Sequence, residues 1–166
     1  MLRTFRSLRE LDYSNLFDIY RGSLLASMDH DAIWKAEQDF YNYLNDVFFA
    51  DPHAMYAVWD AEGSYCAALR LERYRDGLII TGLETKPEAR GKGYATALIE
   101  QVLQDAADKG WRCIYSHVYK NNTISLHVHL KNSFSIISDS AALIDGSFSP
   151  NCYTLRCDLS PRTSRN

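Results

Sequence analysis

Residues 78–106, LIITGLETKPEARGKGYATALIEQVLQDA, join an apolar strand pattern to an apolar helix pattern through a basic loop broken by glycines. This hand-over constrains the chain more than any other feature. The strand has to end beside the start of the helix, and Arg90-Gly91-Lys92-Gly93-Tyr94-Ala95 lies at the junction. Within the helix, Ala95, Leu98, Val102 and Ala106 form one apolar stripe, widened by Ile99 and Leu103, while Glu100, Gln101, Gln104 and Asp108 take the other face. Gly110 stands where a C-terminal cap glycine belongs.

The rest of the chain supplies the surroundings of that junction. LRTFRSL near the start alternates as a first strand, and from Tyr13 to Ala50 the pattern is helical, with Ile33, Glu37, Phe40, Leu44 and Val47 at helical spacing. The segment reads as two helices with MDHD between them, ended by Asp51-Pro52. A meander follows: AMYAVW, SYCAALRLERY and LIITGLET are strands, with turns at Glu62-Gly63 and Asp76-Gly77. Gly82, inside the third of these, marks a bulge, or a place where another backbone or a ligand comes close. RCIYSHVY, FSIISDSAALI and CYTLRCDL read as further strands, the last two joined by DGSFSPN. In ISLHVHLK, Ile124, Leu126, Val128 and Leu130 alternate with polar residues, and periodicity alone reads a strand there.

A chain of 166 residues with 46% hydrophobic content suits one domain with its own core. The net charge of −3 argues against a general polyanion binder, so no nucleic-acid partner is expected. Cys66, Cys113, Cys152 and Cys157 show neither CxxC pairing nor metal spacing and read as free thiols in a reducing compartment. MLRTFRSLRELD lacks the apolar run of a signal peptide, and nothing approaches the ~20 apolar residues of a membrane helix. The expectation is a cytoplasmic protein without a membrane partner. It would have a domain over 1–159 and a frayed tail over 160–166.

The loop itself can hold an anion. The first turn of a helix carries N–H groups without intrahelical partners, the helix dipole adds positive charge there, and glycines let the backbone approach a ligand. Phosphate or pyrophosphate is the natural occupant, with Arg90 and Lys92 adding formal charge. The other reading is a loop that only starts a helix and carries two solvated basic residues. The common nucleotide fingerprints fit poorly. Gly93 follows Lys92 where a Walker loop needs Ser or Thr, no glycine stands five residues before Gly91, and Thr96 occupies the third glycine position of GxGxxG.

LETKPEARGKGYATALI resembles the acyl-coenzyme A binding segment of the GNAT N-acyltransferase superfamily. That signature is Arg or Gln, two residues, Gly, one residue, then Gly or Ala; Arg90, Gly93 and Ala95 satisfy it, and Pro87 falls at a frequent family position. NNTISLHVHLKNSF is similar to a later family pattern, matched in order by Asn122, Ser125, His129, Lys131 and Phe134. His129 stands where many members have tyrosine, and Ser133 where most have glycine. The order of elements agrees along nearly the whole chain.

The resemblance implies an α/β fold of the α+β type. Its central mixed, mostly antiparallel sheet would have about six to seven strands, splayed between the fourth and fifth, with about four helices. It makes ISLHVHLK a short helix, with Ser125 and His129 four residues apart on one face. By analogy GLET and CIYSHVY are the splayed strands, and their gap admits the pantetheine arm of acetyl-CoA as an acyl donor. Backbone near Leu83, Glu84 and Thr85 would contact that arm, and the amides of Gly91, Lys92, Gly93, Tyr94, Ala95 and Thr96 would hold the pyrophosphate. Asn122 and Lys131 are further cofactor candidates, or else a helix cap and a solvated lysine.

Acyl transfer from a thioester to an amine needs a base, donors for the developing oxyanion and a proton for the leaving thiolate. Glu84 is the candidate base, on the strand face opposite Leu83 and Thr85, where desolvation could raise its pKa; otherwise it is a carboxylate with no proton role. His129 is the candidate acid by position, or else a packed helix histidine. The implied activity is N-acetyl transfer from acetyl-CoA to a primary amine in a ternary complex, without a metal. The alternative is a non-catalytic acyl-CoA-binding or regulatory module on the same fold. A third reading, a metal hydrolase on His117, His127 and His129, needs the strand form of ISLHVHLK. The acceptor, a small-molecule or peptide amine, is expected to meet residues 13–50 and the loop before the last strand. MDHD could draw a cation there, and Trp34, Tyr41 and Phe48 could line a slot or belong to the core. A homodimer is left open.

Overall fold

The computed structural model describes residues 1–160; residues 161–166, most of the expected tail, lie outside the described residues. Among the described residues, seven strands make one mixed sheet: β1 (Leu2–Phe5), β2 (Met55–Ala61), β3 (Ser64–Tyr74), β4 (Gly77–Thr85), β5 (Cys113–Tyr119), β6 (Ser135–Ser138) and β9 (Cys152–Asp158). Their order is β1-β2-β3-β4-β5-β9-β6. Four α-helices among the described residues accompany it: α1 (Tyr13–Leu24), α2 (His30–Asp46), α3 (Tyr94–Asp108) and α4 (Thr123–Lys131). The described residues form two compact units, Met1–Leu71 with Gly82–Leu98, and Glu72–Thr81 with residues 99–160.

In the first unit, aspartates start both helices. Asp12 accepts from the Asn15 amide and Asp29 from the Ala32 amide, satisfying donors the helices cannot pair themselves. Leu16, Ile19 and Leu44 bury completely with Phe48 against Tyr56, Val58, Tyr65 and Ala68 of the β2–β3 hairpin. Each such aliphatic side chain contributes about 1.5–3 kcal/mol relative to exposure. The hairpin turn places Glu62 and Gly63 at φ 55° and 89°, the paired left-handed conformation of a tight two-residue connection. Asn15 ties α1 to it, donating to the Gly63 carbonyl and accepting from the Tyr65 amide.

In the second unit, β4 and β5 run parallel over Leu78↔Ile114 to Ile80↔Ser116. The ladder then stops, although β4 continues to Thr85 and β5 to Tyr119; this is the expected splay. β5 also pairs antiparallel with β9 along its whole length. At the end of α3, Trp111 N–H donates to Ala106 C=O and Gly110 N–H to Ala107 C=O, with Gly110 at φ 82°. This Schellman cap is what the glycine was expected to supply.

Residues 124–131 are helical, as the resemblance implied and against their own alternation. Asn122 accepts from the Ser125 amide at the start of the helix. At its end, Phe134 N–H donates to His129 C=O and Ser133 N–H to Leu130 C=O. Both neighbours of β5 in the sheet are already supplied, by β4 and β9. Ile124 and Leu130, half of the alternating apolar set, are left exposed. Ser133 holds the left-handed cap position at φ 66°, where glycine has no steric cost. Ser133→Gly is expected to stabilise the fold by about 1 kcal/mol, read as a higher urea midpoint at unchanged m-value.

One expectation is corrected. FSIISDSAALI is not a single strand. It divides into β6 and β7 (Ala141–Ala142), and β7 pairs with β8 (Phe148–Ser149) in a separate two-stranded sheet. The break lies at Ser138, whose hydroxyl accepts from the Ser140 amide and turns the chain locally. All four cysteines are free and buried. Among the described residues, no helix is long and apolar enough to cross a membrane.

Candidate functional site

The strand-to-helix junction is held from several sides. Gly22 of α1 lies so close to Pro87 that a Cβ would sit 2.6 Å from the proline ring, and Lys86 N–H donates to Cys66 C=O. A 3-10 turn over Pro87–Ala89 then leads to Arg90. The Arg90 guanidinium folds back onto the strand. Its Nε donates to the Thr85 carbonyl at 3.2 Å, and one terminal nitrogen reaches Glu84 Oε1 at 3.0 Å and Ser23 Oγ at 2.9 Å. Arg90 thus fixes the shape of the loop, with Glu84 as its ionic partner rather than a carboxylate in apolar surroundings.

Beyond Arg90 the chain opens. Gly91 and Gly93 take φ 75° and 80°, and a Cβ on either would meet nothing within 4 Å. The first bond of the helical ladder is Ala97 N–H to Gly93 C=O, so the amides of Tyr94, Ala95 and Thr96 precede it. Left-handed glycines alternating with ordinary residues, ahead of a helix N-terminus, are a backbone pattern that can turn successive N–H groups to one side as an anion cradle. The chemistry fits a diphosphate: open space, unladdered donors and the positive end of a helix. Gly91, Lys92 and Gly93 are exposed; Leu83, Thr85, Tyr94, Ala95 and Thr96 are half-buried, and the Tyr94 ring lies 6.4 Å from that of Trp59.

The second group of predicted residues lies on α4, in the other compact unit. Asn122 is the helix cap and Lys131 is exposed in the last turn. His129 is buried, with its ring edge-on to Phe134 at 5.2 Å. Its Nδ1 lies 2.8 Å from the Ser125 carbonyl, which can only accept, so Nδ1 carries the proton. Nε2 is then a buried lone pair, without a hydrogen-bond partner among the described residues. Desolvation holds the His129 pKa below its ordinary value. His117 is half-buried, its Nε2 has no partner among the described residues, and its pKa is lowered by burial and then by Arg75. A lowered folded-state pKa means that the unfolded chain binds protons first. Stability is therefore full above the ordinary histidine pKa of about 6.5 and falls as pH drops through the folded values. Urea midpoints are expected to decline from pH 7.5 to 5, with a shallower decline in His129→Gln.

The helix exposes His127 while burying His129, which removes the shared strand face on which a metal reading depended. Among the described residues, no group of three or more His, Cys, Asp or Glu is placed to hold a metal ion. Of the aromatic slot, Trp34 and Tyr41 are exposed and Phe48 belongs to the core, while Asp29 of MDHD is the α2 cap.

Three residues escaped the sequence reading. Arg70 on β3 pairs in register with Tyr56 on β2, and the Tyr56 hydroxyl meets that of Tyr20 at 2.5 Å. Tyr20 also donates to the Gly82 carbonyl at 3.3 Å. Gly82 sits at φ 58°, and a Cβ there would fall 2.9 Å from the Arg70 guanidinium, so what comes close is a side chain rather than the backbone or ligand expected from the sequence. The available signal was an arginine inside the apolar run CAALRL.

The chain matches the model of the acetyltransferase (GNAT) family over residues 14–134. No curated protein matches it. Among solved structures it is similar to the PaiA N-acetyltransferase of Thermoplasma acidophilum in complex with coenzyme A. That match has 12% identity, covers 95% of this chain and 99% of that one, and has a TM-score of 0.67. It is also similar to the ribosomal-protein-S18-alanine N-acetyltransferase of Escherichia coli, at 14% identity, covering 100% and 99%, with a TM-score of 0.65. A third likeness is to a phosphinothricin N-acetyltransferase described as putative, at 18% identity, covering 96% and 99%, with a TM-score of 0.67. At such identities the likenesses speak for the fold, and the family match over most of the chain carries the assignment: the protein belongs to the GNAT acetyltransferase family.

Proposed function

We propose that the protein is an N-acetyltransferase that moves an acetyl group from acetyl-CoA to a primary amine by direct attack in a ternary complex. Residues 1–159 are read as the acyltransferase domain, and the four free thiols support a reducing, cytoplasmic setting. The observation that carries this reading is the cradle. The left-handed Gly91 and Gly93 lie ahead of the unladdered amides of Tyr94, Ala95 and Thr96, in a chain of the GNAT family.

The donor's diphosphate rests on the amides of residues 91–96, with Lys92 adding charge, and its pantetheine arm pairs with the backbone of Leu83 and Thr85. Arg90 acts by holding Glu84 and the Thr85 carbonyl in place. Asn122 and Lys131 supply further contacts to the donor. The amine nitrogen forms its bond to the acetyl carbon as the carbon–sulfur bond breaks, losing one proton while the thiolate gains one. Glu84, directly or through a water, takes the proton from the amine. His129 serves the sulfur through Nε2. Because Nδ1 is committed to Ser125, Nε2 must first take up the proton that it then delivers.

The test is an acetyl-CoA turnover screen over amine classes that reads free thiol, run beside a calorimetric titration of the donor. Binding with turnover of at least one amine supports the proposal. Binding without any acetylation favours a non-catalytic acyl-CoA module, and absence of binding removes both.

A further inference from the structure

Arg70 is a cation to which the described residues give no anion. It occupies an otherwise apolar stretch of β3, half-buried, with its guanidinium 6.0, 5.4 and 5.9 Å from the ring centres of Phe40, Tyr43 and Phe48. The rings offer a cation–π environment, but they accept no N–H bond of ordinary strength. Nε is buried and has no hydrogen-bond partner among the described residues. The carboxylates nearest along β3 and β4 are engaged elsewhere: Glu72 accepts from Thr81 Oγ1, and Glu84 is paired with Arg90. Among the described residues, no carboxylate forms an ion pair with Arg70. A partly desolvated guanidinium left in this state is costly, and its planar fork matches a carboxylate.

The position ties this vacancy to the transfer chemistry. The guanidinium lies against exposed Gly82, which lacks the side chain that would cover it. Glu84 follows two residues along the same strand, about 7 Å further at the usual rise. The Tyr20 hydroxyl feels the charges of both Arg70 and Glu84. Burial raises the Tyr20 and Tyr56 pKa values, Tyr20 to about 12, so neither phenol supplies the missing anion near neutral pH.

We propose that Arg70, boxed by Phe40, Tyr43 and Phe48 beside Gly82, binds a carboxylate on the amine acceptor, which makes the acceptor class carboxylate-bearing amines such as free amino acids. The inference rests on the transferase reading above. It places the acceptor's amine toward Glu84 and its carboxylate toward Arg70, a few bonds apart.

The experiment compares matched acceptors: an amino acid, its carboxamide, the amine lacking the carboxyl group, and an amine bearing a phosphate in its place. The expected result is a kcat/KM for the carboxylate member at least about thirtyfold above the other three. Arg70→Gln should bring the four within about threefold of one another, with the dissociation constant for acetyl-CoA unchanged, and Arg70→Lys should keep part of the preference. Equal use of the four by the wild type, a preference for the phosphate, or an intact preference in Arg70→Gln overturns the proposal. Should no amine be turned over, the transferase reading fails by itself. Carboxylate binding is then read from the arginine Nε–H resonances during titration with alanine. A shift of the signal that disappears in Arg70→Lys upholds the Arg70 site, and no shift overturns it.

Discussion

Replacing Gly93 with valine raises the dissociation constant for acetyl-CoA by more than about a hundredfold while the far-UV circular dichroism spectrum stays native. Gly93 holds φ 80°, a conformation that a β-branched residue tolerates badly, so the backbone has to rotate and the neighbouring amides lose their common direction. Each hydrogen bond from an amide to a charged oxygen is worth about 1.5–3 kcal/mol, and losing two of them accounts for a change of that size. A Cβ at this position meets no neighbour within 4 Å, so the fold is disturbed only through the dihedral. Gly63→Val is the control. It carries the same left-handed strain in an open turn, at φ 89°, and should lower stability while leaving donor affinity intact. Calorimetric titration of the two variants separates a binding cradle from a loop that only starts a helix.

Glu84→Gln lowers kcat by about a hundredfold or more, within the range general-base catalysis contributes, with the affinity for acetyl-CoA unchanged. The amide keeps the size of the side chain and one oxygen to accept from Arg90, which now reaches Glu84 Oε1 at 3.0 Å, so the loop keeps its anchor. What disappears is the capacity to take a proton. Single-turnover acetylation, compared with donor binding in the same variant, reads the two effects apart. A kcat within threefold of the wild type would leave Glu84 as an anchor for Arg90 and move the proton to another acceptor.

Much of the architecture was legible because local chemistry and tertiary need agree. The β2–β3–β4 meander declares itself through apolar runs closed by Glu62-Gly63 and Asp76-Gly77, and the α3 stripe ends at the glycine its cap uses. The cradle was legible for the same reason, since few residues other than glycine adopt the dihedrals found at 91 and 93. Residues 124–131 show the opposite case. Their alternation describes a strand, but Asn122 and the 6→1 bond from Phe134 close the ends of a helix, and only the family pattern pointed there.

The site was legible in part. The residue types at 84, 90 and 129 suggested proton transfer and charge, but their partners depend on contacts between distant segments. Arg90 was read as a ligand for phosphate, and its bonds to Glu84, Thr85 and Ser23 come from packing that no spacing rule encodes. The tautomer of His129 follows from a helical carbonyl four residues away, which exists only once the helix forms. Arg70 went unnoticed because one arginine in a strand is ordinary. Among the described residues it has no carboxylate as an ion-pair partner, and the register sets Tyr56 opposite it.

An amide-resolved NMR titration of the full chain with coenzyme A tests directly whether the amides at the start of α3 hold the donor. The largest chemical-shift changes are expected at Gly91 to Thr96, smaller ones at Leu83 and Thr85, and little change in the Glu62-Gly63 turn. Saturable binding that leaves the signals of residues 91–96 in place would contradict that role.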